Sequence, residues 1–215
     1  MADLEGKVAV VAGATRGAGR GIARMLGEAG ATVYCSGRST AGDLSPIGRA
    51  ETIEETAALV DAAGGRGIPV QTDHLDEAQV QCLFERVMAE SDQLDVVVND
   101  IGGEDEAEGG RLHEMDLERG FRFIDTAVKT HVITSRYAVP ILRDQRRGLI
   151  VEITDGDHPG FRGAFFYDLA KNQVIRAAYA MAMELRRRGV TVVALTPGFL
   201  RSEMMLENFG VTEDN

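Results

Sequence analysis

The sequence predicts an α/β fold built as a doubly wound parallel sheet, on three observations. Short apolar runs alternate with helix-length segments along nearly the whole chain, the pattern of βαβ units joined by right-handed crossovers. The first apolar run leads directly into a glycine-rich turn that opens an amphipathic segment. The composition is that of a globular chain: 215 residues, 44% hydrophobic and 27% charged. That is enough for one domain over residues 1–215 with a sizeable core, and too apolar for a disordered chain.

Each element follows in order. Residues 7–12 form a continuous apolar run of the kind a buried parallel strand shows. Ile22, Ala23, Leu26 and Ala29 recur at helical spacing over 17–29, and Gly30 supplies the stop. Residues 31–36 read as a second strand, followed by a loop rich in Gly, Ser and Pro that runs to Gly48. A helix over 52–63 closes at Gly64-Gly65, a third strand spans 67–72 and a helix spans 77–90. The fourth strand, 94–99, carries the β-branched Val96, Val97 and Val98. A long helix over 117–143, a fifth strand over 148–154, a helix over 165–188 and a sixth strand over 190–196 complete the pattern. No internal repeat or linker interrupts it. The acidic run Glu104 to Glu108 is expected to be a solvated loop. Arg186-Arg187-Arg188 is expected at a helix C-terminus, where the dipole favours cations.

Charge excludes several function classes. A net charge of −11 leaves no basic surface for a nucleic-acid backbone. No run approaches the roughly 20 apolar residues that cross a bilayer. The start, Met1 to Glu5, lacks the basic flank and apolar stretch of a signal peptide. Cys35 and Cys82 lie in apolar segments without pairing or metal spacing, so both are expected as buried thiols in a reducing cytoplasm. No metal site is expected.

The turn after the first strand reads Gly13-Ala14-Thr15-Arg16-Gly17-Ala18-Gly19-Arg20-Gly21. Its glycine spacing differs from the generic dinucleotide fingerprint, but the physical demands are alike: a tight strand-to-helix turn, close backbone approach to a pyrophosphate, and a helix N-terminus facing the anion. The nucleotide follows from charge. An NAD site places an acid at the end of the second strand, whereas this region reads Tyr34-Cys35-Ser36-Gly37-Arg38-Ser39, with no acid until Asp43. Arg38 and Arg16 offer two guanidinium groups to a 2′-phosphate. The expected cofactor is therefore NADP(H) in preference to NAD(H).

Further motifs follow in order: Asp73 after strand three, Leu94 to Gly102 around strand four, Tyr167-Asp168-Leu169-Ala170-Lys171, and Pro197-Gly198-Phe199-Leu200-Arg201-Ser202. With the glycine turn, these resemble the short-chain dehydrogenase/reductase family over essentially the whole chain. The resemblance implies a Rossmann-like fold, a small-molecule carbonyl or alcohol substrate, and a homodimer or homotetramer paired through the long helices. It implies that the turn residues Gly13, Thr15, Arg16, Gly17, Ala18 and Gly19, with Arg38 and Ser39, hold the dinucleotide. Asp73 would bond the adenine with His74 alongside. Asn99 would brace the sheet and the cofactor loop, next to Ile101 and Gly102. Pro197, Gly198 and Leu200 would line the nicotinamide carboxamide, and Ser202 stands where the family often has a cofactor-contacting threonine.

The Tyr167–Lys171 pair is also chemically sensible by itself. Residues four apart share a helix face. A phenol with a pKa of about 10 needs an adjacent cation to act near neutral pH. Tyr167 would protonate a carbonyl oxygen, and Lys171 would also hold the nicotinamide ribose.

Three departures mark the chain. The family's catalytic serine is absent from Glu152-Ile153-Thr154-Asp155-Gly156-Asp157-His158. Strand register puts Asp155 in its place, whereas distance to Tyr167 puts Thr154 there. Thr154 retains a hydroxyl. An ionised Asp155 cannot donate and opposes negative charge on the tyrosine or the substrate oxygen. His158 is a further candidate donor. The relay asparagine of the fourth helix is missing from Asp125 to His131, with Thr126 and Lys129 the nearest substitutes. The last family strand is absent, although a lid candidate (Glu203 to Phe209, within 199–212) is present. These departures motivate a rival: a catalytically weakened nucleotide-binding sensor or assembly subunit, which would bind cofactor without turnover. A third reading is a reductase whose substrate matches the cluster Asp155, Asp157 and His158.

Overall fold

A computed structural model describes residues 3–44, 48–103, 111–156 and 160–212. Six strands form one parallel sheet in the order β3-β2-β1-β4-β5-β6. They are β1 (Val8–Ala12), β2 (Thr32–Gly37), β3 (Arg66–Gln71), β4 (Val96–Asn99), β5 (Gly148–Ile153) and β6 (Val190–Leu195). All five residues of β1 are buried, as expected of a central strand covered on both faces.

Alternation along the strands divides the core in two. Val8, Val10, Tyr34, Ile68, Val97 and Ile150 face α3 (Glu77–Ser91), α5 (Thr130–Gln145) and α6 (Phe165–Leu185). Val11, Val33, Cys35 and Val98 face α1 (Gly17–Glu28) and α2 (Ile53–Ala62). Helix α2 opens on a capping box in which Thr52 and Glu55 satisfy each other's backbone N–H groups. Helix α3 is capped by Asp76. Past β6 no further strand pairs among the described residues. Val193 and Leu195, on the face opposite Val192, are exposed.

The structure refines several expectations for identifiable reasons. The fourth strand begins at Val96 rather than Leu94, because the Gln145 side chain takes both backbone groups of Leu94: its Oε1 accepts the N–H at 3.0 Å and its Nε2 donates to the carbonyl at 2.6 Å. The long helix is two helices, α4 (Leu117–Ile124) and α5, joined by a π-helical turn over Asp125–Lys129. Cys35 is buried and its thiol is pushed up to about 12, by burial first and by Asp61 second. Cys82 corrects the expectation of two buried thiols. It is exposed, because the inward face of α3 is set by Val80, Leu83, Phe84 and Val87 and Cys82 falls off that stripe. Arg186, Arg187 and Arg188 lie exposed past the end of α6. The acidic run Glu104 to Glu108 lies outside the described residues, as do Asp157 and His158. No helix among the described residues is long and apolar enough to cross a membrane.

Two buried polar clusters tie the carboxyl ends of the strands to α5. In the first, His74 lies between the Ser36 hydroxyl (2.9 Å from Nε2) and the Thr134 hydroxyl (2.7 Å from Nδ1). Burial, with His131 as a lesser contributor, lowers its pKa from 6.5 to about 3. Its folded value lies below its unfolded one, so the unfolded chain takes up the proton first as pH falls. The stabilisation is full above pH 6.5 and is lost toward pH 3, with a slope of at most about 1.4 kcal/mol per pH unit. Urea unfolding at about pH 7.5 and about pH 5 will show this loss in the wild type and a flatter dependence in His74→Asn.

Candidate active site

The site forms where the sheet changes direction, at the carboxyl ends of β1 and β4. Crossovers leave on opposite faces there and open a crevice. A cavity of about 520 Å³ occupies it.

Glycine is required in the wall at two places. Gly13 has φ +85°, and a Cβ there would lie 2.5 Å from the Asp100 carbonyl oxygen. A Cβ on Gly19 would lie 2.3 Å from the Gly13 carbonyl oxygen. Real Cβ atoms do not approach backbone so closely, so β1, α1 and the segment after β4 pack backbone against backbone. The turn is held from behind by the Thr56 hydroxyl, which donates to the Ala14 carbonyl at 2.8 Å. Beside it, the end of β2 brings Arg38 and Ser39 to the rim, where an Arg16 Nη2 donates to Ser39 Oγ at 3.4 Å. Arg16 Nε also lies 3.7 Å from Glu51.

A second polar cluster underlies the loop after β4. Asn99 and Glu152 are direct partners in the β4–β5 register. Asn99 Nδ2 donates to Glu152 Oε1 at 2.9 Å and to Ser135 Oγ at 3.0 Å. His131 Nδ1 lies 2.6 Å from Glu152 Oε2, and its Nε2 lies 3.2 Å from the Ile101 carbonyl. Glu152 is completely buried, and a buried carboxylate persists only when paired and hydrogen-bonded in this way.

Helix α6 carries Tyr167 and Lys171 one turn apart on the cavity side. The Lys171 ammonium lies 5.2 Å from the centre of the Tyr167 ring. Phe123 stacks on that ring at 6.0 Å between centres. The Tyr167 hydroxyl donates to Asp155 Oδ2 at 2.8 Å, and Arg162 pairs with the other carboxylate oxygen. Burial works against the charge of Asp155, yet hydrogen bonds from Arg162 and Tyr167 hold its carboxyl below the usual range. Asp155 is therefore ionised and accepts a hydrogen bond from the phenol. The Thr154 hydroxyl is buried and donates to the Lys171 carbonyl at 3.0 Å. Of the two residues at the serine position, Asp155 reaches the phenol. Thr126, at the π-helical turn, bonds the Arg122 carbonyl at 3.0 Å and also lines the cavity.

The cavity gathers nearly every residue the sequence nominated. Gly13, Thr15, Arg16, Gly17, Ala18, Arg38, Ser39, Asp73, His74, Ile101 and Gly102 line one side. Thr154, Asp155, Tyr167, Lys171, Pro197, Gly198, Leu200 and Ser202 line the other. Gly19 and Asn99 do not line it; they pack and brace behind it. Asp73 caps its own turn, its Oδ1 accepting from the Leu75 N–H at 2.9 Å.

The lid candidate forms helix α7 (Glu203–Phe209), capped by Ser202. Glu203 Oε2 accepts the Gly17 N–H at 2.8 Å.

The match to known proteins agrees with this geometry. The family model for short chain dehydrogenase matches residues 7–210. The chain belongs to the short chain dehydrogenase family. A mouse dehydrogenase/reductase SDR family member 1 is 35% identical over the whole of this chain, which spans 66% of that relative's length. A crystal structure from Burkholderia xenovorans, described as a short-chain dehydrogenase/reductase, superposes with a TM-score of 0.84 at 28% identity, covering 98% of this chain and 78% of that one. A metagenomic short-chain oxidoreductase in complex with NADP superposes at 0.74, also 28% identical, over 91% and 84% of the two chains.

Two residues escaped the sequence reading of this family member. Arg162 stands in a loop with no motif, and its only signal was opposite charge seven residues after Asp155. Glu203 was noted only as part of a lid, because its contact with Gly17 spans 186 positions. Gly19→Ala will lower stability by about 1–3 kcal/mol, the range for overpacking, since the added methyl meets backbone; a thermal melt against wild type measures it.

Proposed function

We propose that the protein is an NADP(H)-dependent oxidoreductase that reduces a small carbonyl compound, or oxidises the matching alcohol. The observation that carries this reading is the Tyr167–Lys171 pair facing the same cavity as the glycine turn. The turn fits a dinucleotide by its own construction: without side chains at Gly13 and Gly19 the start of α1 packs against the end of β1, and the Gly17 N–H holds a carboxylate oxygen, so an anion is accepted there. In this reading Gly13, Thr15, Gly17 and Ala18 hold the pyrophosphate, Arg16, Arg38 and Ser39 the 2′-phosphate, and Asp73 the adenine. Ile101, Gly102, Pro197, Gly198 and Leu200 hold the nicotinamide end. The NADP complex of the metagenomic relative supports the choice of nucleotide.

When bound, the cofactor supplies the hydride; the chain's own residues manage the proton. Tyr167 donates its phenolic proton to the substrate oxygen, and Lys171 beside the ring offsets the charge left on the tyrosine. Asp155 accepts from Tyr167 before substrate arrives, and a carboxylate there opposes a tyrosinate. The arrangement keeps Tyr167 protonated until substrate arrives; Lys171 must then offset Asp155 as well as the charge that proton donation leaves on the tyrosine. Arg162 balances Asp155 at the mouth of the site. Assembly as a homodimer or homotetramer through α5 and α6 belongs to the same reading; Val132, Leu169, Tyr179 and Met183 are exposed on those helices.

Tyr167→Phe is expected to lower NADPH-coupled reduction across a panel of ketones and aldehydes by about 10²–10⁴-fold, with NADPH affinity retained. Unchanged turnover refutes the mechanism, and NADPH binding by a wild type that turns over nothing favours the weakened-catalysis rival. Arg38→Asp is expected to weaken NADPH binding by about tenfold or more, the cost of a lost charge-assisted bond, and to leave NADH affinity within a factor of about two of wild type; calorimetric titration reads both.

A further inference from the structure

We propose that Glu203 is an internal competitor for the dinucleotide's phosphates, so that cofactor binding is coupled to release of α7. The inference rests on the reading that the glycine turn binds a dinucleotide. Three contacts carry it. Glu203 Oε2 accepts the Gly17 N–H at 2.8 Å, at the first residue of α1, where the helix dipole and unpaired N–H groups attract an anion. Its other oxygen lies 3.8 Å from Arg20 Nε, a cation of the same turn. Two residues before the end of α7, Glu207 pairs with Arg49 at 2.8 Å, giving the helix a second acidic anchor.

The chain therefore presents its own carboxylate to the group that a phosphate oxygen would use. One N–H does not serve two anions well, and a carboxylate beside a pyrophosphate repels it. Dinucleotide binding must move Glu203, and the apparent affinity is reduced by the fraction of molecules whose turn is already clear. Met204 and Met205, the next two residues of α7, line the cavity. Displacing Glu203 carries these methionines with it, so cofactor occupancy repositions part of the apolar cover over the substrate side.

The test is calorimetric titration of wild type and Glu203→Gln with three probes: NADPH, inorganic pyrophosphate and adenosine. Glutamine keeps the size of the side chain and removes its charge. NADPH and pyrophosphate are expected to bind the variant about tenfold more tightly, within the range for a charge-assisted hydrogen bond, and adenosine, which has no phosphate, equally to both proteins. Glu207→Gln, which loosens α7 at Arg49 and leaves the turn intact, is expected to tighten NADPH by about threefold, a smaller gain because the Glu203 contact remains. NADPH binding to both variants that equals or falls below the wild type's overturns the proposal, as does an adenosine gain equal to that for NADPH. NADPH binding by none of the three proteins overturns the dinucleotide reading instead, a distinguishable result.

Discussion

Backbone meets backbone where β1 ends, and the rest of the site depends on that contact. Side chains at Gly13 or Gly19 would collide with the carbonyls of Asp100 or Gly13. Their absence lets the N-terminus of α1 sit over the gap between β1 and β4. Gly17 and Ala18 at the start of that helix line the cavity as a result, as do Ile101 and Gly102 just after β4. A side chain inserted at either glycine would force α1 or the segment after β4 away from the end of β1.

The charges in this acidic chain are arranged locally. Glu152 is buried because Asn99, Ser135 and His131 all reach it. It joins β4, β5 and α5 beneath the segment after β4 that carries Ile101 and Gly102. Asp155 is ionised because Arg162 and Tyr167 outweigh the cost of its burial. Glu203 lies against the start of α1, where its carboxylate accepts the Gly17 N–H. Each carboxylate is defined by its partners: Glu152 by groups on β4 and α5, Asp155 by Arg162 and Tyr167, and Glu203 by Gly17 and Arg20.

Much of the fold was legible because its causes are local. Continuous apolar runs specify strands covered on both faces, and Ile22, Ala23 and Leu26 specify a helix stripe. The six strands and the helices between them were placed to within two or three residues. The misses have physical reasons. Leu94 looks like strand, but Gln145, from the end of α5, takes its backbone groups. Cys82 looks buried in an apolar segment, but its position on α3 lies outside the inward stripe. The π-helical turn at Asp125–Lys129 has no counterpart in apolar spacing.

The sequence by itself determined the order of strands and helices, the glycine turn and the Tyr167–Lys171 pairing, since each depends on spacing along a few residues. Tertiary structure alone decided that Asp155, and not Thr154, meets the phenol. Strand register and sequence distance pointed to different residues, and only the path of the chain after β5 chooses between them. It also decided that Arg162 balances Asp155 and that Glu203 reaches Gly17. Such contacts join segments far apart or without motif, through single charged side chains, and charge at one position leaves no periodic trace in a sequence.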